Sequence, residues 1–337
     1  MKKIGYLWVI GVIWVMVLSS VVPAYADQDA KQQGKEILRA VVKIRAVIPD
    51  YARSAKTLGT EREGSGVFID SKGHILTIGY LIMEAETLEV FGPDGKGISA
   101  TPVGYDHKTG FGILKVDKVL EVKPIEFGKS SEVKEGDLII VASHGGEEGV
   151  LGARVISRKE FAGYWEYMLE DAIFTAPPHP HFGGAALIDH NGKLVGIGSL
   201  YTQVVIAGLG AIPGNMFVPI DYLKPILSDL IAKGESAEPR RPWLGINAEE
   251  AHGRVFVTRV TPESPAEKAG LKVGDVILMV SKKEVGGLAD FYRKVWALGN
   301  AGIEVPLTLL QGIKIQDCRV KSTDRSQYYS LKPRKKI

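Results

Sequence analysis

The sequence predicts a mainly β protein of two consecutive domains, the second being a smaller domain that mixes helices with strands. Its 337 residues allow about two domains that each bury a core of their own. Apolar runs of strand length, separated by Gly, Asp, Pro and Asn, follow one another from about residue 40 to residue 219. The apolar period then becomes helical and is followed by a polar stretch that contains proline. A domain boundary is therefore expected after residue 233.

Composition and charge exclude several classes of protein. Hydrophobic residues make up 45% of the chain and charged residues 24%, as in soluble globular proteins, which excludes wholesale disorder and a polytopic membrane protein. Lys and Arg number 42 against 39 Asp and Glu, a net charge of +3. This surplus is too small to indicate nucleic acid as a partner. The single cysteine, Cys318, cannot form an internal disulfide.

The N-terminal segment has the order of a secretory signal peptide. Lys2 and Lys3 precede an apolar run over residues 4–18, and the small-residue signature Ala24-Tyr25-Ala26 follows. We therefore expect a signal peptide over residues 1–26, cleavage near Ala26, and a periplasmic or secreted protein. The alternative is an inner-membrane anchor, because residues 4–25 could cross about 30 Å of hydrocarbon as a helix.

The first domain, residues 36–233, is predicted to contain mostly strands. The Asn191-Gly192 pair supplies the positive φ angles of a tight hairpin. One helix is predicted over residues 219–233, with its apolar stripe ended by Gly234, and an exposed linker follows over residues 234–241. The predicted strands are VVKIRAV, GSGVFID, HILTIGY, TLEVF, FGILKV, DLIIVAS, AIFTA, AALID, KLVGIGS and MFVPI.

The second domain, residues 242–322, alternates strands with two short helices. The strands are predicted at RVFVTRV, DVILMV and VPLTLL, and the helices over residues 265–269 and 288–298. On the second helix, Leu288, Phe291 or Tyr292, and Val295 share one face. A polar tail over residues 323–337 is expected to be solvated.

Two strings of the second domain closely resemble the PDZ domain of HtrA/Deg-type serine proteases. They are PWLGI at 242–246 and VTPESPAEKAGLKVGDVIL at 260–278. The turn Leu244-Gly245-Ile246 can offer successive N–H groups to a terminal carboxylate, while an extended peptide adds as a strand beside the helix at 288–298. The alternative is that Gly245 only turns the chain and the apolar residues only fill a core. The expected peptide-binding residues are Trp243, Leu244, Gly245, Ile246, Leu288, Tyr292 and Val295.

Upstream segments resemble, in order, those that carry His, Asp and Ser in the trypsin-like domain of the same family. They are GSGVFID, GHILTIGYLI, VGYDHKTGFGILKV and PHFGGAALIDHNGKLVGI, and the resemblance covers nearly all of residues 36–233. It implies a trypsin-like double β-barrel with the active site between the barrels, followed by a small α/β PDZ domain. It also implies a trimer.

The chain departs from the family at all three catalytic positions. Tyr80 stands at the His position, Gly110 at the Asp position and Gly183 at the Ser position, or Phe182 if the frame shifts by one. A phenol with a pKa of about 10 is no general base near neutral pH, and glycine has no side chain. His181 also stands where the family has a glycine of the oxyanion loop. We therefore expect no catalytic residues here and a degenerate member of the family.

Other serines could in principle rescue catalysis. Ser143 precedes His144, but neighbours on an extended chain point to opposite faces and do not form a catalytic pair. Ser65 and Ser199 lie in turn or strand segments and are more simply structural. An active serine endopeptidase with an unrecognised nucleophile is kept as the alternative function.

Two further groups of side chains have alternative interpretations. His179 and His181, at i and i+2, could bind a metal together with His144, but no third ligand is close in sequence, so neither metal nor cofactor is expected. The aromatic segment FAGYWEYML at 161–169 either closes the core or covers a partner.

The leading hypothesis is an exported HtrA-like pseudoprotease. It would bind peptide C termini or unfolded segments through its PDZ domain and act as a scaffold, chaperone or adaptor in protein quality control. The expected partners are such peptides, further copies of the chain in a homo-oligomer, and an active protease homologue.

Overall fold

The computed structural model describes residues 32–118, 120–206, 208 and 210–333. The expected signal peptide at 1–26 and the alternative anchor at 4–25 lie outside these residues. Within the described ranges, every helix is too short or too polar to cross a membrane.

The first barrel closes from six antiparallel strands in the order β1-β2-β3-β6-β5-β4. Residues 32–39, ahead of the barrel, are helical, and a short helix α1 (Ala55–Leu58) follows β1. Alternate side chains such as Ile44, Ile75 and Ile113 are fully buried inside it. The strands are β1 (Val41–Val47), β2 (Glu61–Phe68), β3 (His74–Ile78), β4 (Thr87–Phe91), β5 (Gly97–Tyr105) and β6 (Phe111–Val116).

The second barrel repeats this architecture in the order β10-β11-β12-β9-β8-β7. Its core holds Val141, Ile173 and Phe217, all fully buried. The predicted mainly β, double-barrel class is thereby confirmed. The strands are β7 (Leu138–Ala142), β8 (Val150–Gly163), β9 (Tyr167–Ala176), β10 (Ala186–Ile188), β11 (Leu194–Ile206) and β12 (Gly210–Pro219).

Two local predictions for this barrel were wrong in detail. The helix expected over 219–233 is a 3-10 turn (Ile220–Tyr222) followed by helix α2 (Leu227–Lys233), because Pro225 disfavours helical backbone in the residue before it. Gly234 ends the helix as expected, with φ +81°. In the hairpin, only Gly192 has a positive φ, because the Asp189 carboxylate accepts the N–H groups of Asn191 and Lys193 and widens the turn.

The third unit is a sheet in the order β13-β14-β15-β17-β18, with β16 paired to β15. Helix α4 buries Leu288, Phe291, Tyr292 and Val295 against this sheet, which confirms the predicted face. The strands are β13 (Ile246–Ala251), β14 (Arg254–Val260), β15 (Val276–Val280), β16 (Lys283–Glu284), β17 (Glu304–Gln311) and β18 (Lys314–Lys321), with helices α3 (Pro265–Lys268) and α4 (Leu288–Trp296).

The segment after β18 is not the solvated tail that its polar composition suggests. Residues 323–333 return over the protein, and Tyr328 is buried with its ring centroid 4.9 Å from that of Trp243. The Glu84 N–H of the first barrel donates to Leu331 O at 3.1 Å. The aromatic side chains of this segment therefore help to fix its position, together with Arg325, whose Nη1 donates to Trp165 O at 3.0 Å.

The segment 234–241, which was expected to be an exposed linker, is exposed at residues 235 and 237–239 and also contacts the units on both sides of it. Glu238 forms an ion pair with Lys108 of the first barrel at 2.6 Å. The Arg241 guanidinium lies 4.0 Å from the ring centroid of Trp296 on α4, which is cation–π geometry. The linker therefore takes part in the contact between the barrels and the third unit.

Asp221 joins the end of the second barrel to the 3-10 turn Ser130–Glu132. Its carboxylate accepts the Ser131 N–H at 2.8 Å and pairs with Lys224 at 2.5 Å. Burial raises the pKa of Asp221, but hydrogen bonds from Lys224, Ser131 and Ser130 outweigh it and lower the pKa from 3.8 to about 2.

We expect this carboxylate to make an acid-sensitive contribution to stability. Because its pKa is depressed in the folded state, the contribution is present above pH 3.8 and is lost as the pH falls through about 2. The difference in melting temperature between wild type and Asp221→Asn should therefore shrink as the pH falls from 5 to 2. Calorimetry at several pH values measures it, and a difference independent of pH would contradict the assignment.

Candidate functional site

The three positions that resemble a catalytic triad come together between the barrels. Tyr80 lies in the 3-10 turn Gly79–Leu81 after β3, Gly110 precedes β6, and Gly183 precedes β10. The Gly79 N–H donates to Gly110 O at 2.7 Å, which holds the first two segments side by side. The fold thus brings together the three positions that the sequence singled out, and each of them holds a residue other than the catalytic one.

The Tyr80 phenol fills the space that a nucleophile would need. Its hydroxyl donates to Ser199 O at 3.0 Å, and burial raises the pKa of Tyr80 far above 10. A side chain at Gly183 would begin 3.0 Å from that hydroxyl oxygen. Tyr80 therefore stays neutral near pH 7 and cannot act as a general base.

The backbone conformation at Gly110 disfavours a side chain at the position of the orienting acid. Gly110 has a φ of +86°, where side chains are strained. A Cβ there would lie 3.3 Å from Ile78 Cδ1 and 3.4 Å from the Tyr167 hydroxyl oxygen. That hydroxyl itself donates to Thr109 O at 2.6 Å. The backbone around Gly110 thus suits glycine and leaves little room for a carboxylate.

The loop before Gly183 uses one of its own amides internally. The His181 N–H, at the oxyanion-loop position of the resemblance, donates to His179 Nδ1 at 3.0 Å. With Nδ1 as acceptor, His179 Nε2 carries the proton and donates to Gly149 O at 3.2 Å. The amide is therefore directed at an imidazole, away from any developing oxyanion.

The same hydrogen bonds weigh against the metal alternative. His179 is buried, and both of its ring nitrogens have protein partners. Over the ranges that the structure describes, no group of three or more His, Cys, Asp or Glu side chains is placed to hold a metal ion. His179 positions the loop.

A serine and a histidine that sequence reasoning did not pair lie in contact. Ser65 Oγ is 3.0 Å from His144 Nδ1 and also accepts the His144 N–H at 3.0 Å. Burial, then His181 and Lys43, lower the pKa of His144. Ser65 and His144 are 79 residues apart, so local spacing gave no signal of this contact.

The other two candidate serines are also buried. Ser143 Oγ donates to backbone oxygens, Gly149 O and His144 O, both at 3.2 Å, and lies 3.5 Å from His179 Nε2. It has no such contact with the His144 ring, as expected for neighbours in sequence. Ser199 offers its carbonyl to Tyr80. Both serines support the cleft from within.

The turn expected to bind a terminal carboxylate does bind a carboxylate, that of Glu166. Glu166 Oε1 accepts the N–H groups of Gly245 at 2.7 Å and Ile246 at 2.9 Å, and Oε2 accepts that of Leu244 at 2.8 Å. Gly245 has a φ of +87°, and a Cβ there would lie 2.2 Å from Ser264 Cβ. The turn therefore has the expected donor geometry, and its ligand comes from the tip of the β8–β9 hairpin.

The backbone of the hairpin tip extends along β13. The Ala248 N–H donates to Tyr164 O at 2.8 Å. The Tyr292 hydroxyl of α4 donates to Gly163 O at 2.8 Å and accepts the Glu166 N–H at 3.1 Å. The tip thus lies between β13 and α4, where an added strand was expected.

The remaining expected peptide-binding residues do not all line this groove. Leu288 and Val295 belong to the buried core of the third unit, which Met168 of the hairpin joins. Trp243 packs against Tyr328 of the returning tail. The hairpin is therefore contacted by Leu244, Gly245, Ile246 and Tyr292 as expected, and also by Ala248, Arg293 and Arg325, which sequence reasoning missed.

A cavity of about 560 Å³ lies between the cleft and the third unit. Tyr80, Gly110 and Phe182 line it from the barrels, and Ile246 and Arg259 line it from the third unit. The interbarrel cleft and the occupied groove are therefore neighbours.

Comparison with known proteins gives matches for both parts of the chain. The family model described as a trypsin-like peptidase domain matches residues 64–197, and the one described as a PDZ domain matches residues 242–322. A probable periplasmic serine protease of Haemophilus influenzae, described as do/HhoA-like, is 30% identical over 290 residues, 79% of this chain and 60% of that protein. The periplasmic pH-dependent serine endoprotease DegQ of Escherichia coli is 26% identical over 270 residues, 74% of this chain and 57% of DegQ. The chain thus spans less than two thirds of these relatives.

Solved structures show the same fold. A serine endoprotease from Yersinia pestis is 24% identical, with a TM-score of 0.52 over 87% of this chain and 97% of that one. The HtrA-type protease AlgW with a decapeptide is 21% identical, with a TM-score of 0.52 over 87% of this chain and 98% of that one.

Proposed function

Because the chain belongs to the HtrA/DegP family of trypsin-like proteins with one PDZ domain, we propose that it is an exported pseudoprotease of that family. The two barrels serve as a scaffold, and the PDZ domain binds peptide C termini or unfolded segments. The protein acts as a scaffold, chaperone or adaptor in protein quality control. A periplasmic or secreted location is supported by its periplasmic relatives, and its signal peptide and trimeric assembly are parts of the proposal.

The observation that carries the proposal is the Tyr80 hydroxyl 3.0 Å from where a side chain at Gly183 would begin. Base, acid and nucleophile act as a unit, and removing a whole triad costs a serine protease roughly a million-fold in rate. Here all three positions lack the required groups, and the His181 amide is directed at His179. A peptide bound in the cleft would therefore meet no group that can attack its carbonyl carbon.

One observation favours the alternative of an active endopeptidase, namely the contact between Ser65 and His144. Two features of this pair oppose it. Ser65 is fully buried, so its hydroxyl cannot reach a peptide carbonyl, and that hydroxyl already accepts the His144 amide. A buried hydroxyl engaged in this way fixes a loop.

The proposal predicts no labelling of the purified full-length protein by a fluorophosphonate probe, which reacts with any activated serine. The reason is that none of Ser65, Ser143 and Ser199 combines exposure with an oriented base. In-gel fluorescence measures labelling, with the serine endoprotease of Yersinia pestis as positive control.

Labelling at a mapped serine would overturn the pseudoprotease assignment. Single Ser65→Ala, Ser143→Ala and Ser199→Ala variants then identify the nucleophile, since only one of them should abolish the signal. Calorimetric melting of each sample in parallel ensures that an unlabelled sample is folded.

A further inference from the structure

We propose that Glu166 is a built-in ligand of the PDZ domain, so that an external peptide terminus must displace the tip of the β8–β9 hairpin to bind. The inference rests on the proposed function in one respect, namely that the turn Leu244–Ile246 is the site for a peptide carboxylate. It assigns that site an occupant from the chain itself.

The carboxylate contacts make internal and external ligands mutually exclusive. Glu166 takes the amides of Leu244, Gly245 and Ile246 at 2.7 to 2.9 Å. Each amide has one hydrogen to donate, so a peptide terminus would need the same three donors. Both ligands cannot occupy the turn together.

The hairpin also reproduces the other two features of a bound peptide. Tyr164 O, two residues before Glu166, accepts the Ala248 N–H at 2.8 Å, which is backbone pairing with β13. Met168 is buried in the same apolar cluster as Leu244, Ile246 and Phe291. Residues 164–168 thus supply the carboxylate, the backbone carbonyl that pairs with β13, and the buried apolar side chain.

Ordinary packing does not account for an acid at this position. Glu166 is 8% exposed, and its backbone has a φ of +57°, which is uncommon for a residue with a side chain. Burial raises the pKa of Glu166, although the three amides act to lower it. Such burial of a carboxylate is costly unless hydrogen bonds compensate it, and the PDZ turn supplies these bonds.

Because Glu166 occupies the turn, the apparent affinity for any external peptide is weaker than the intrinsic affinity. If the hairpin leaves the groove in about 1–10% of molecules, the apparent dissociation constant rises about 10- to 100-fold above the intrinsic one. Removing the Glu166 carboxylate raises the open fraction, so the variant should bind more tightly. A peptide terminus acts as a competitor of residues 164–168.

The first experiment tests occupation itself by hydrogen exchange, followed by mass spectrometry, on the full chain. The segment covering residues 244–248 should exchange at least about tenfold faster in Glu166→Ala than in wild type, because its amides lose their acceptor. Glu166→Met retains the length of the side chain without an oxygen acceptor and gives a second variant should the first unfold. Glu170→Ala is the matched control, since Glu170 is an exposed acid of the same hairpin and should leave this exchange unchanged. Equal exchange in wild type and both Glu166 variants would overturn the inference.

The second experiment measures binding of a fluorescent decapeptide ending in Val by anisotropy, with its C-terminal amide as negative control. We expect at least about tenfold tighter binding to Glu166→Ala than to wild type or Glu170→Ala. Equal affinity for all three proteins would overturn the built-in ligand and leave peptide binding standing. If none binds although exchange responds to Glu166, the proposed peptide-binding function fails and the occupation of the turn stands.

Discussion

Substituting Gly184 by alanine is expected to lower the free energy of unfolding by roughly 2 to 5 kcal/mol. Gly184 has a φ of +75°, and an alanine Cβ would lie 1.9 Å from Ser65 O and 2.6 Å from Thr77 Oγ1. Positive φ costs about 1–2 kcal/mol, and overpacking costs about 1–3 kcal/mol or more where the neighbour is backbone. Ser65 lies on β2 of the first barrel, so relief of the clash would separate the barrels.

The hydrogen bonds around Gly184 would be lost in the same movement. The Ser65 N–H donates to Gly183 O at 2.8 Å, and the Gly184 N–H donates to Gly198 O at 2.9 Å. Urea denaturation measures the effect, with Gly136→Ala as control. Gly136 has a φ of +92° but open space around it, so it should lose only about 1–2 kcal/mol. Equal losses in the two variants would show that the barrels absorb the clash.

The second large effect is expected for Arg62→Leu, at roughly 3 to 5 kcal/mol of lost stability. Arg62 is buried and donates to Tyr80 O at 2.7 Å, Met83 O at 3.0 Å and Ser54 Oγ at 2.7 Å. Burial lowers the pKa of Arg62 to about 10, while the buried Glu84 acts to raise it. Leucine would leave the two carbonyls and the Glu84 charge without this partner and would release the turn that carries Tyr80.

The matched control is Arg45→Leu in the neighbouring strand. Arg45 pairs with Glu61 at 3.6 Å, and both side chains are exposed, so the loss should stay within about 1 kcal/mol. Calorimetric melting of both variants measures the contrast. A melting temperature for Arg62→Leu equal to that of Arg45→Leu would show that Arg62 does not hold the Tyr80 turn.

The sequence predicted the double-barrel class and most strands because apolar alternation is local. It did not reveal β5, β8, β13, β16 or β18. In β5 and β8 the runs GISATPVGY and VLGARVISRKEFAG interrupt that alternation and contain register shifts. The triad positions were found because motif spacing aligns them. What each position contacts depends on residues distant in the chain, as with Tyr80 and Ser199, 119 residues apart.

The occupied PDZ turn was beyond sequence reasoning for the same reason. Glu166 lies 78 residues before Leu244, and nothing local relates the two. The only signal was one acid within the aromatic segment at 161–169, a composition that fits a core or a contact equally well. Of the alternatives considered for that segment, the structure supports the core role for Tyr167 and Leu169, which are buried in the barrel core, while Glu166 and Met168 contact the PDZ domain.

The PDZ domain is fastened to the first barrel on both sides of its sequence. The Tyr105 N–H donates to Gly234 O before the domain, and the Glu84 N–H donates to Leu331 O after it, both at 3.1 Å. Neither bond involves residues 164–168. A peptide that displaces Glu166 from the turn therefore need not break either of them, and the domain stays joined to the barrel at both ends of its sequence.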